Sequence, residues 1–448
     1  MKRYEAYKNC NIPWIKQIPS HWMTKRAKFL YKKEQRPVRE EDSVVTCFRD
    51  GVVTLRKNRR TTGFTEAISE FGYQGIRKGD LVIHVMDAFA GAIGVSDSDG
   101  KGTPVYNVCT AYGDSNNYYY AYALREMARA GFIQSLYRGI RERSSDFRFD
   151  VFERQYLPVP PREEQDQIVR YLDWQVSKIN RLIAAKRKRI ELVKEHFSVR
   201  IANIVCNGLK PNTPMRETGI DYIGAIPSHW TVLQNKRLFK SMNRTFQGIP
   251  TVLSLSQKDG LIPYSEMTER SLHTSSYESW QLVCPNDLVL NRFKAHLGVF
   301  FASKYTGIVT FHYGVYEAKM PLVAKYYEVL YHTPEYCRVY AGQSRGMTVG
   351  LQNLSDTNFY STYTVYPPNE EQREIVTEIE QIEKQQSSII AGVNRQIEKL
   401  QEFRTRLISD VVTGQIDVRS IKVPDDEYIN NEITEEEFEE ESENNEEE

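Results

Sequence analysis

The chain has 448 residues, 40% of them hydrophobic and 26% charged, with 59 basic and 59 acidic side chains. That length exceeds one ordinary domain, and the composition suits packed cores rather than a fibrous or disordered chain. No stretch approaches the roughly 18 apolar residues of a membrane span, and the opening MKRYEAYKNC has no apolar signal core, so a cytoplasmic protein without a membrane partner is expected.

The zero net charge hides an imbalance. Residues 425–448 hold 14 acidic residues and no Lys or Arg, which leaves 59 basic against 45 acidic residues in the rest. A basic body with an acidic tail points to a polyanion partner. The tail itself carries too little apolar surface to offset its ordering entropy and is expected to be disordered. Six scattered cysteines without a C-x-x-C pattern read as reduced thiols.

Taken in order, the chain states one pattern twice. IPSHW stands at 18–22 and again at 226–230, 208 residues later. Asp50-Gly51 is answered by Asp259-Gly260, GDLVI at 79–83 by NDLVL at 286–290, and PPREEQ at 160–165 by PPNEEQ at 367–372. Landmarks in one order at nearly one spacing mean two copies of one unit. Before each double proline, β-type runs (SVVTCF, DLVIHV and PVYNVC; TVLSLS, DLVLNR and TGIVTF) alternate with turns, which predicts a mixed, strand-rich domain.

After each double proline comes a long helical pattern, with proline at the tolerated first turn. The apolar stripe runs through Ile168, Leu172, Ile179, Ile183, Ile190, Val193 and Phe197 in the first copy. In the second it runs through Ile375, Ile379, Ile382, Ile390, Val393, Ile397, Leu400 and Leu407. These steps of three, four or seven are a coiled-coil seam, and the other copy's helix is its economical partner. The expected fold class is α+β: two mixed domains joined to two long helices that pair as an antiparallel coiled coil, in a pseudo-twofold repeat. The expected boundaries are a domain over 1–159, a helix over 160–208, a domain over 209–366, a helix over 367–413, an extension over 414–424 and the acidic tail over 425–448.

No catalytic constellation is legible. GVSDSDGKG at 94–102 has the wrong glycine spacing for a phosphate loop, and no zincin, nucleophile-elbow, calcium-loop or G-x-G-x-x-G pattern occurs. His21 and His229, beside Trp22 and Trp230, read as packed residues rather than ligands, and no metal site is expected. Nucleic-acid contact is better supported. RKNRR at 56–60 places Arg56, Lys57, Arg59 and Arg60 on an expected loop, and YRGIRER adds Arg138, Arg141 and Arg143. Arg292 and Lys294 follow the second copy's NDLVL strand, and Arg345 lies in a Gly-bearing loop. Loop cations neutralise phosphates and contact guanine edges. RKNRR has no counterpart in the second copy, where LIPYSEMTER follows Asp259-Gly260.

The paired I-P-x-H-W strings, D-L-V segments and P-P-x-E-E-Q openings of heptad helices, with the ending VVTGQIDVR at 411–419, resemble the specificity subunit of a type I restriction-modification enzyme over nearly the whole chain to about residue 420. The resemblance implies a non-catalytic subunit whose two target-recognition domains each read half of a bipartite double-stranded DNA site, with helices that set the spacer. It implies two methyltransferase subunits and two restriction or motor subunits as partners. S-adenosylmethionine, ATP and Mg would be held by those partners and none by this chain. The acidic tail departs from that family's pattern. The competing expectation is a coiled-coil interaction scaffold with only sequence-blind, salt-sensitive DNA binding.

Overall fold

The computed structural model describes residues 2–59, 71–136, 147–246, 251–256, 260–267, 277, 280–344 and 353–424. Two helices dominate it, Arg162–Asn207 with 46 residues and Asn369–Val412 with 44. The described part divides into two compact units, Met1–Arg187 with the described part of Asn394–Glu448, and Lys188–Val393. Each long helix is thus shared, its first half belonging with its own domain and its second half with the other copy.

Unit 1 is strand-rich. A four-stranded antiparallel sheet orders Tyr31–Lys33, Tyr106–Ala111, Leu81–His84 and Ile93–Val95. Two-stranded pairs surround it, among them the hairpin Val45–Cys47 with Val53–Leu55, and Met23–Arg26 with Tyr156–Val159. Unit 2 repeats the same topology: Phe239–Ser241, Tyr313–Ala318, Leu288–Asn291 and Phe300–Ala302 form its four-stranded sheet. A small core lies between sheet and hairpin in each. Val45, Cys47, Val53, Ile76, Val82, Ala92 and Val108 fill it in unit 1, and Leu253, Leu255, Leu261, Val283, Val289, Val299 and Val315 fill it in unit 2. Position by position the two sets are 207 or 208 residues apart.

The paired Asp-Leu-Val segments owe their aspartate to a lock. Asp80 accepts the Arg77 amide at 2.7 Å and holds Arg36 through two bonds; Asp287 accepts the Cys284 amide at 2.8 Å and holds Arg244 likewise. The carboxylate hydrogen bond pushes each guanidinium above its usual value. The residue before each aspartate is left-handed, at φ 91° for Gly79 and 68° for Asn286, which suits glycine and next best asparagine.

Within each unit the two helices run antiparallel. In unit 1, Asn180 meets Arg404 at 2.6 Å and Lys186 meets Gln396 at 2.7 Å, so numbers rise along one helix as they fall along the other. In unit 2, Arg200 meets Glu378 at 2.8 Å. The seam is not buried by helix pairing alone. Ile375, Ile379 and Ile382, with Phe197, Ile204 and Val205 from the other helix, sit in one core with Trp230, Phe239 and Tyr327. Ile168, Leu172, Ile179 and Ile183 are buried in unit 1, as are Ile397 and Leu407. Val393 is buried too, whereas Ile190, Val193, Ile390 and Leu400 are half-buried. In unit 2 the stripe therefore serves as domain core as well as helix seam.

Candidate nucleic-acid interface

The repeated string and the helix opening turn out to be one joint. Trp22 Nε1 donates to Glu164 Oε1 at 3.0 Å, and His21 Nε2 lies 2.8 Å from Glu164 Oε2. Trp230 Nε1 donates to Glu371 Oε2 at 3.0 Å, and His229 Nε2 lies 2.8 Å from the same oxygen. In unit 1 the Tyr4 hydroxyl also donates to Glu164. The next residue completes the joint. Gln165 takes the Asn116 amide and donates to the Pro160 carbonyl, both at 2.9 Å, while Gln372 takes the Val323 amide and donates to the Pro367 carbonyl at the same distances. Glu164 is buried and Glu371 half-buried, and a shielded carboxylate with charge-assisted donors is costly to disturb, so this joint fixes each domain on its helix. His21 and His229 are carboxylate partners. Among the described residues, no group of three or more His, Cys, Asp or Glu is placed to hold a metal ion.

A second joint ties each domain to the far end of the other copy's helix. Tyr119 donates to the Val412 carbonyl at 3.1 Å, and Tyr326 to the Val205 carbonyl at 2.8 Å. Beyond these ends the units differ. Unit 2 continues through Gly208 into the strand Met215–Glu217, which pairs with Ala225–Pro227. Unit 1 builds the same corner from both ends of the chain: Tyr7–Asn9 pairs with Gln17–Pro19, and the Asp417 amide donates to the Lys2 carbonyl at 2.9 Å. Gln167 then donates to the Val418 and Ile421 carbonyls at 3.0 and 2.7 Å, laying the extension along the helix. The corresponding helix face in unit 2 carries a groove of about 420 Å³ lined by Leu209, Glu370, Arg373 and Glu374 among others.

No protein-family model and no curated protein matches the chain. Solved structures do. A chain of a type I R-M system, studied for its complex assembly and conformational transition, superposes at a TM-score of 0.63, covering 89% of this chain and 99% of its own at 14% identity. The HsdS subunit from Thermoanaerobacter tengcongensis superposes at 0.50, covering 89% and 98% at 15% identity. The fold is the type I HsdS fold. At such identity the likeness lies in backbone and topology, and the residues of this chain have to speak for its chemistry.

On this HsdS fold the expected contact cations fall into three groups. Arg59 and Arg292 are held internally. Arg59 pairs with Asp50 at 2.9 Å and lies 5.0 Å over the Phe48 ring, and Arg292 pairs with Asp356. Arg56, Lys57 and Lys294 are presented on short turns. Arg56 is half-buried, with Nε 3.4 Å from Thr46 Oγ1, and Lys57 and Lys294 are exposed. Arg60, Arg138, Arg141, Arg143 and Arg345 lie outside the described residues.

The expected loop at RKNRR is corrected in its described part: Arg56–Asn58 is a 3-10 turn, pinned by the Arg56 amide on the Val44 carbonyl at 2.8 Å. It does have a backbone counterpart. Tyr264–Glu266 is the same turn in unit 2, pinned by the Tyr264 amide on the Val252 carbonyl at 2.9 Å. What the second copy lacks is the positive charge, since Tyr-Ser-Glu stands where the first has Arg-Lys-Asn. The arginine locks and the tyrosine joints were missed in the sequence, although Arg36 with Arg244 and Tyr119 with Tyr326 are identical residues 208 and 207 apart.

Proposed function

We propose that this chain is the DNA-reading subunit of a type I restriction-modification complex and has no catalysis of its own. Residues 1–159 and 209–366 each read one half of a bipartite site, and the paired helices set the spacer and dock two methyltransferase subunits. Two restriction or motor subunits complete the assembly in the cytoplasm. The partners supply S-adenosylmethionine for methyl transfer, and ATP with Mg for translocation.

One observation carries this reading. Two heads share a backbone down to paired locks and turns, yet present different chemistry at an equivalent turn, Arg56-Lys57-Asn58 against Tyr264-Ser265-Glu266. Cations suit guanine edges and phosphates, whereas a carboxylate accepts from an exocyclic amine, so two such heads require a non-palindromic site. Readers of two half-sites need a set spacing, and the two long helices are the segments that enter both units. The complex-assembly study of the type I R-M chain named above also supports partner subunits.

The test is modified-base sequencing of a host with and without this chain. A bipartite adenine-methylation motif should appear only with it, and deleting four residues from one long helix should shorten the unread spacer. An unchanged methylation pattern sinks the reading, and an unchanged spacer sinks the ruler.

A further inference from the structure

Two neighbouring turns at one end of the two central strands of the four-stranded sheet occur in both units. In unit 1 they are His84-Val85-Met86-Asp87 and Thr103-Pro104-Val105-Tyr106, coupled by the Val85 amide on the Val105 carbonyl at 2.9 Å. In unit 2 they are Asn291-Arg292-Phe293-Lys294 and Thr310-Phe311-His312-Tyr313, 207 residues on. The second turn closes alike in both, from the Tyr106 amide to Thr103 at 3.2 Å and from the Tyr313 amide to Thr310 at 3.1 Å. The backbone is shared, but the outward residues are not.

In unit 1 the rings of these turns, His84 and Tyr106, pack on each other at 5.1 Å with Tyr106 buried, whereas unit 2 places rings at the outer positions, where unit 1 has Met86 and Pro104-Val105. The His312 ring centroid lies 3.9 Å from that of Phe311 and 5.6 Å from that of Phe293. Phe311 is 53% exposed and Phe293 36%, and exposed Lys294 follows Phe293 directly. Tight turns favour Gly, Pro, Asn, Asp and Ser, so turn formation does not account for Phe-His at the tip. The backbone that carries Phe293 is pinned. The Phe293 amide donates to Asn291 Oδ1 at 3.1 Å, the Lys294 amide to the Asn291 carbonyl at 3.0 Å, and Arg292 is anchored by Asp356. The unit 1 turn instead ends in Asp87, paired with Arg49 at 3.1 Å. An anion there would repel phosphate, whereas Lys294 attracts it.

We propose that Phe293, His312 and Phe311, flanked by Lys294, form a stacking wedge that takes the π-face of a nucleobase in the half-site read by unit 2. Exposed rings beside a cation match what a base offers, a flat apolar face next to a phosphate. In a duplex that face is reached only by opening a base step, so the wedge partly unstacks one step and favours deformable pyrimidine–purine sequences. Unit 1, with Met86-Asp87 and Pro104-Val105 at the equivalent outer positions, reads its half-site without such opening. The wedge rests on the DNA-reading role proposed above.

The test uses the full chain and duplexes carrying 2-aminopurine at successive positions of the methylated motif. Binding should raise the fluorescence at one step in one half-site only. Phe311→Ala and Phe293→Ala should each abolish that rise and weaken binding about tenfold, whereas Phe311→Tyr keeps both. Both phenylalanines are exposed, so the variants keep the fold. Site-specific binding with no rise in either half-site, or alanine variants indistinguishable from the parent chain, overturns the wedge and leaves the reading of two half-sites intact. Variants that unstack DNA normally but no longer associate with the methyltransferase partner assign the patch to a protein contact and also overturn it. A chain that methylates no bipartite motif removes the role itself.

Discussion

The two units answer the same folding problem twice, and they agree inside and disagree outside. Their small cores hold aliphatic residues at matching positions, and their carboxylate joints, arginine locks and tyrosine bonds recur with nearly the same distances. Their turns, by contrast, exchange Arg-Lys-Asn for Tyr-Ser-Glu, Met-Asp for Phe-Lys, and Pro-Val for Phe-His. Close packing explains the difference, because a buried position tolerates few shapes while an exposed turn tolerates many. After a duplication, the interior keeps one architecture while the exterior is free to take up two chemistries.

The comparison breaks most readily at the tryptophans. Trp22 and Trp230 are both almost fully buried, at 0% and 1% exposure. Replacing either by alanine should cost about 3–5 kcal/mol. Amide hydrogen exchange should show the loss of protection centred on the unit that carries the substitution. Equal loss in both units after one substitution contradicts two separately compact units.

A smaller effect sharpens the contrast at the helix ends. Gly208 and Gly414 both adopt positive φ, at 79° and 74°, so alanine at either is strained by about 1–2 kcal/mol. The surroundings then diverge. A Cβ on Gly414 would stand 2.4 Å from Pro19 Cδ, whereas on Gly208 its nearest neighbour is Glu371 Oε1 at 3.0 Å. Gly414→Ala should therefore lower the denaturant midpoint more than Gly208→Ala. The reverse order means the two corners are not packed as described.

The smallest effect belongs to unit 1 alone, because only its corner is built from the two chain ends. Hydrogen bonds from Arg419 hold the Asp417 carboxyl below its usual range. A depressed carboxylate stabilises the fold above its unfolded value near 4, and that contribution is lost as pH falls through the folded value. Arg419 is half exposed, so the contribution should stay under about 1 kcal/mol. Asp417→Asn should flatten the acid limb of unit 1 stability and leave unit 2 unchanged, again read by hydrogen exchange.

Much of this was legible before any coordinates. IPSHW and PPxEEQ recur because their residues meet, and the heptad stripe announced two long helices because a period near 3.5 leaves few other solutions. The partner of each string was not legible. Nothing in the local pattern joins Trp22 to Glu164, 142 residues away, since a contact at that separation is set by how the chain returns on itself. Composition alone makes RKNRR a loop, whereas the Arg56 amide on the Val44 carbonyl makes Arg56–Asn58 a 3-10 turn and Asp50 claims Arg59.

The sequence by itself determined that there are two copies, which strings mark them, and where the long helices run. Those properties live in order and period, which a linear chain carries directly. Only the tertiary structure decided that each compact unit borrows the far half of the other copy's helix, and that unit 1 is closed by both chain ends. It also decided that IPSHW is the clasp on its own helix opening. Those are outcomes of burial: an apolar stripe and a buried carboxylate take whichever partners the folded chain brings within reach.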